Sequence, residues 1–162
     1  MNPNQQLIEE FYAGFAEGNA KTMASCYHKE IHFQDPAFGK LEGQDVSDMW
    51  EMLIEKSKGN LKIEFSDVRA DALSGSARWV ATYHFSKTNR NVVNVIQASF
   101  VFKDGLIIKH TDEFDIWKWS KQALGLPGYL LGWTGFMQQK IQRNAIHSLR
   151  SYQGRNKPGS NF

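Results

Sequence analysis

The spacing of apolar residues changes abruptly at residue 61 of this chain. Before it, hydrophobic side chains recur every three to four positions; after it they alternate, over 61–69, 76–87, 91–102 and 106–117, the pattern of half-buried strands. The intervening stretches LSGS, TNRN and KDG carry turn chemistry, so strands adjacent in sequence are expected to pair as an antiparallel meander. Upstream, Leu7, Ile8, Phe11, Tyr12 and Phe15 form one helical stripe over 4–16, closed near Gly18. A short helix is expected around 22–27, and then a strand, IHFQDP, that sets Ile31, Phe33 and Asp35 on one face. A further stripe, Val46, Met49, Trp50, Leu53 and Ile54, ends at Gly59. Helices followed by a curled meander make an α+β fold, with the helices covering one face of the sheet.

Alternation decides which side chains meet those helices. A short turn at KDG is expected to bring Phe100 near Ile108, Ala98 near His110 and Ile96 near Asp112. Gln97, Ser99, Lys109, Thr111 and Glu113 then face water, and His110 and Asp112 point inward. Trp79, Ala81, Tyr83, Phe85 and Asn94 share that inner face, and Asp35 reaches it from its own strand. A carboxylate inside an apolar core must be paired, protonated or next to a cavity. A histidine beside it gains a fixed tautomer and a use as an acid or base. The alternative is structural: a buried Asp–His pair can tie strands together, and an aspartate before proline can cap a turn.

Other chemistries lack their residues. Neither a GxGxxG nor a Walker loop is present, so nucleotide chemistry is not expected. His28 and His32 lie across a helix–strand junction without a matching ligand set and are read as surface residues, so no metal or organic cofactor is called for. Cys26, the single cysteine, reads as packing. With no disulfide and a polar start, MNPNQQ, a cytoplasmic setting is expected. A chain of 162 residues, 41% of them hydrophobic, suits one domain, here 1–152 with a core at about 4–119, a helical extension at about 120–152 and a disordered tail at 153–162.

Charge is uneven. Seven of the 19 Lys and Arg follow Asp115 with no Asp or Glu among them, which leaves the first 115 residues at −5. No polybasic run interleaved with aromatics accompanies them, so nucleic acid is not an expected partner. In the extension, Leu130, Leu131, Trp133, Phe136, Met137, Ile141, Ala145 and Leu149 are too apolar to stay exposed and are expected to cover the core as a lid or meet a second copy in a homodimer. Membrane contact through the basic helix is the lesser alternative.

The stretch FYAGFAEGNAKTMASCYHKEIHFQDPAFGKLEG, the tryptophan-bearing helix after it and the closing HTDEFD resemble the SnoaL-like branch of the nuclear-transport-factor-2-like superfamily, over about 4–119. That group includes polyketide cyclases, ketosteroid isomerases and limonene epoxide hydrolases. The resemblance implies a cone, a curved sheet wrapped round helices with a deep apolar pocket. It sets Asp35, before Pro36, at the position of the isomerases' proton-shuttling aspartate. Phe11 and Ala98 stand where those enzymes carry their oxyanion tyrosine and neutral aspartic acid. Asp112 matches the final-strand aspartate of the epoxide hydrolases, but Trp79, Ala81, Tyr83 and Phe85 occupy the strand that should hold their Arg-x-Asp pair. The single pocket aspartate of SnoaL-type cyclases fits Asp112 with His110 best.

The sequence therefore points to a small pocket protein doing acid–base chemistry on an apolar carbonyl substrate, or to a non-catalytic binding or dimerisation module of the same fold. Asp112, His110 and Asp35 are the candidate catalytic residues. Tyr83, Asn94, Trp50, Trp79, Phe85 and Phe100 are the candidate substrate contacts.

Overall fold

A computed structural model describes residues 1–156. Helix α1 (Pro3–Ala16) starts where the Asn2 side chain accepts the Asn4 amide and Pro3 occupies the first turn. Its stripe buries Ile8, Phe11, Tyr12 and Phe15. Helix α2 (Ala20–Ser25) is capped by Asn19, which accepts the Thr22 amide. Strands β1 (Tyr27–Asp35) and β2 (Gly39–Glu42) form a hairpin, and α3 (Gln44–Ser57) buries Val46, Met49, Trp50 and Met52. The meander follows as β3 (Lys62–Ala70), β4 (Ser74–Phe85), β5 (Arg90–Lys103) and β6 (Leu106–Glu113). Helices α4 (Ile116–Leu124), α5 (Leu126–Leu131) and α6 (Gly135–Asn156) complete the chain.

The six strands make one sheet in the order β2-β1-β6-β5-β4-β3, and α1 and α3 fill its concave side. All meander pairs are antiparallel, whereas β1 runs parallel to β6 with Phe33 opposite His110. The core is aromatic: Phe11, Tyr12, Phe33, Trp50, Trp79 and Phe100 are all buried. Each such side chain contributes on the order of 1.5–3 kcal/mol by leaving water.

The register of the last hairpin differs from the expected one. Phe100 faces His110 and Ala98 faces Asp112, a shift of two residues. Asp104 and Gly105, both with positive φ, make a two-residue turn between Lys103 and Leu106, and a bulge follows Val101. Because side-chain direction repeats every two residues, the shift leaves every face unchanged. Strand β6 also stops at Glu113, short of 117, because Asp115 accepts the Lys118 amide and starts α4.

The extension behaves as two parts. Met137, Ile141 and Leu149 of α6 are buried and Ala145 is half-buried, so this helix does cover the core. Gln142 of α6 rests against Gly39 of β2. Its end is latched to α3 through Arg150 and Gln153 on Asp45, Gln153 on Asp48, and Tyr152 on Glu51. Helix continues through Asn156, so 153–156 are ordered where a tail was expected; the rest of that tail lies outside the described residues. Leu130, Leu131, Trp133 and Phe136, by contrast, do not cover the cone and stand exposed. Among the described residues no helix is long and apolar enough to cross a membrane.

Candidate functional site

His110 is 0% exposed, with Asp112, 3% exposed, beside it. The rings of Phe100, Phe33, Phe11 and Trp50 surround the imidazole at centroid distances of 4.6, 5.1, 5.5 and 6.0 Å. Five side chains form one hydrogen-bonded row. Trp50 Nε1 lies 2.8 Å from Tyr27 Oη, which lies 2.8 Å from His110 Nδ1; His110 Nε2 lies 2.9 Å from Asp112 Oδ1, with Trp79 Nε1 at 3.3 Å from the same oxygen. Indole N–H groups can only donate. Tyr27 Oη therefore accepts from Trp50 and Asp112 Oδ1 from Trp79, and in the imidazole tautomer with its proton on Nε2, His110 donates to Asp112 while Nδ1 accepts from the Tyr27 hydroxyl.

This row was only partly anticipated. His110 and Asp112 do pair on the inner face, but Trp50, Trp79 and Phe100, expected as substrate contacts, are core residues packed against the pair. Tyr27 was missed because the short helix was expected to run through 27, whereas α2 ends at Ser25 and Tyr27 begins β1. Tyr12, seen only as part of the apolar stripe of α1, has a fully buried hydroxyl with no partner among the described residues. Burial above all, and then the charge of Asp112, push the Tyr12 phenol well above its ordinary range.

Asp35 is the last residue of β1. The parallel register places Phe33 opposite His110 and Gln34 opposite Thr111; Asp35 follows Gln34 on β1, on the same face as Phe33, and the Asp112 charge acts on it. Its Oδ1 accepts the amides of Ala37 at 2.9 Å and Phe38 at 2.6 Å, which caps the turn at Pro36. Both sequence expectations for Asp35, turn cap and inward acid, thus describe the same side chain. Burial, the largest cause, and the neighbouring Asp112 charge raise it to about 7 against the opposing pull of those amides. Asp35 is half-buried, so of the three candidate ionisable groups it alone is partly open to solvent.

Tyr83 and Asn94 lie further along the same face. Tyr83 Oη accepts from Trp119 Nε1 of α4 at 2.7 Å, and its own proton has no protein acceptor among the described residues. Burial, relieved in part by the Trp119 bond, raises the Tyr83 phenol, and Asp35 adds to the rise. Asn94, opposite Ala81, makes no side-chain hydrogen bond among the described residues. Phe85 packs edge-on against Trp119 in a second cluster with Val92, Met137 and Ile141. Ala37, Tyr83 and Phe114 touch both clusters, so α4 and α6 close over the end of the cone where Asp35 sits.

The remaining candidates are structural. His28 is buried, not a surface residue: its Nδ1 accepts the Glu30 amide, and Nε2 lies 3.8 Å from Asp104. His32 is exposed. Cys26 is buried, and burial pushes its thiol up to about 12. Among the described residues no cluster of His, Cys, Asp or Glu is placed to hold a metal. Two open surface depressions, of about 590 and 400 Å³, include neither Asp35 nor His110; one is lined by Lys29, His32, Glu42 and Lys103, the other by Arg69, Asp71, Ser74 and Ser76.

A curved, open six-stranded sheet packed round helices is the nuclear-transport-factor-2-like cone fold. The chain belongs to the SnoaL-like domain family, whose sequence profile matches residues 8–110. Solved structures share the fold. An epoxide hydrolase of the limonene-epoxide-hydrolase type from M. tuberculosis is 16% identical, with 79% of this chain and 95% of that one covered and a TM-score of 0.58. A protein with a ketosteroid isomerase-like fold from Catenulispora acidiphila, in complex with trimethylamine, is 12% identical over 79% and 96%, with a TM-score of 0.60. TerC, co-crystallised with polyporic acid, is 16% identical over 70% and 92%, with a TM-score of 0.60. No curated protein matches the sequence. Helices α4 to α6 lie beyond the family match.

Proposed function

We propose that the protein is a cofactor-independent acid–base enzyme of the isomerase, cyclase or hydrolase kind, acting on an apolar substrate that carries a carbonyl oxygen. The observation that carries this reading is Asp35: a half-buried carboxyl beside Asp112, raised to about 7, at the end of the cone that holds two unengaged donors. Such a group exchanges a proton at neutral pH, where an ordinary aspartate is too weak a base. Asp35 takes the proton next to the substrate carbonyl. The Tyr83 hydroxyl and the Asn94 amide then hold the oxygen as charge develops on it. The His110–Asp112 row keeps the second carboxylate in place and holds the Asp35 carboxyl up. The same fold in an epoxide hydrolase and in TerC with polyporic acid is consistent with a small apolar oxygenated ligand.

The test is a turnover screen of cyclic ketones, lactones and epoxides, followed by Asp35→Asn on any compound turned over. A loss on the order of 100-fold or more in kcat is expected, the usual scale of a lost general base. Unchanged turnover in Asp35→Asn contradicts the assignment.

A second reading, a non-catalytic binding or dimerisation module, draws on the dense aromatic filling around His110. It predicts ligand affinity or self-association with no turnover of any compound in that screen.

A further inference from the structure

Helix α5 and the turn after it carry an apolar surface that the cone does not use. Leu126, Tyr129, Leu130, Leu131, Trp133 and Phe136 are 45–69% exposed. The packing beneath them holds them outward. Gly128 and Gly132, four residues apart, press the backbone of α5 onto Ser120 of α4. A Cβ on Gly128 would lie 2.0 Å from the Ser120 carbonyl oxygen, and one on Gly132 would lie 2.7 Å from Ser120 Cβ. Only glycine allows that approach, so the small face of the helix is spent on α4 and every large side chain is directed away from the protein.

Four cations border this surface or lie close to it. Lys121 Nζ sits 4.1 Å above the Trp117 ring, whose Nε1 donates to the Tyr129 carbonyl, so this cation borders α5 directly. The Arg90 guanidinium packs at Gly125, where α5 begins. Lys140 and Arg143 are exposed one and two turns beyond Phe136 on α6. Asp115 is the last acid of the sequence.

We propose that α5 is an interfacial anchor for an anionic phospholipid surface: its leucines and aromatic rings enter the acyl boundary while Arg90, Lys121, Lys140 and Arg143 meet the headgroups. Aromatic and leucine side chains flanked by cations are what such a surface retains. A second copy suits the patch less well, because a two-fold contact would bring the Arg90, Lys121, Lys140 and Arg143 sets of both copies together.

The experiment is co-sedimentation of the full chain with phosphatidylglycerol/phosphatidylcholine vesicles and with pure phosphatidylcholine vesicles. It is run at low and at 0.5 M salt, on the natural chain and on Leu130→Ser/Trp133→Ser/Phe136→Ser, checked for an unchanged thermal midpoint. Size-exclusion chromatography with light scattering accompanies it. The expected result is binding to the anionic vesicles that weakens with salt and falls roughly tenfold or more in the triple variant, as lost apolar burial requires. The proposal is overturned by absence of binding to anionic vesicles, by a triple variant that binds as the natural chain does, or by a dimer that the triple substitution dissociates in a protein that ignores vesicles.

Discussion

Asp35 and Asp112 follow the last register pair of the parallel strands β1 and β6, Gln34 opposite Thr111; the first is half-buried, and the second is sealed by His110 and Trp79. Burial above all, and also the Asp112 charge, raise Asp35 to about 7 although backbone amides of Ala37 and Phe38 hold one of its oxygens.

That shift has a sign in stability. Asp35 binds its proton more tightly in the folded chain than in the unfolded one, whose ordinary value is 3.8. The stability it contributes is therefore fully present below about pH 4 and is lost as pH rises through about 7. Urea unfolding across this window should show stability declining with pH, and Asp35→Asn should flatten that slope. An identical slope in the variant contradicts the assignment.

The His110–Asp112 pair is expected to matter first for folding. Asp112→Ala removes one partner of a buried pair and leaves His110 Nε2–H and Trp79 Nε1–H without an acceptor. A cost of about 3–5 kcal/mol follows, read from the urea midpoint at constant m-value. A cost below about 1 kcal/mol shows that water or a ligand reaches this end of the cone.

Tyr12→Phe removes a buried hydroxyl that has no partner among the described residues. Desolvating such a group without a bond costs about 1–3 kcal/mol, so the variant should match or exceed the natural protein in thermal midpoint. A fall of several degrees reveals a bonding partner for Tyr12, such as an interior water.

Gly128→Ala places a methyl group against the Ser120 carbonyl. Forcing extra volume into a close backbone contact costs about 1–3 kcal/mol, and the thermal midpoint should drop accordingly. Gly135→Ala, with open space at its Cβ position, is the control and should leave the midpoint unchanged.

The inner face was legible in the sequence because strand alternation has a period of two, so even a register error of two residues left His110, Asp112, Trp79 and Asn94 facing inward. What alternation could not carry is depth. It gives the side of the sheet on which Trp50 or Phe100 lies, and only the packing of α1 and α3 decides that these rings fill the cone and do not line an opening. Strand β2, four residues long, was too short to show a period, and the parallel pairing of β1 with β6 is a long-range event without a local turn signal. The neighbourhood of Asp35 and Asp112 depends on that pairing. Hydrophobicity alone likewise placed the apolar residues of α5 with those of α6. The close approach of Gly128 and Gly132 to Ser120 separates them, docking α6 and leaving α5 outward.

The most direct measurement is a carbon-13 NMR titration of the Asp35 side-chain carboxyl, assigned by its loss in Asp35→Asn. A midpoint near 7 is expected, because burial and the Asp112 charge act together on that carboxyl. A midpoint near the ordinary 3.8 means that Asp35 is only a turn cap, and contradicts its role as the acid–base group of this cone.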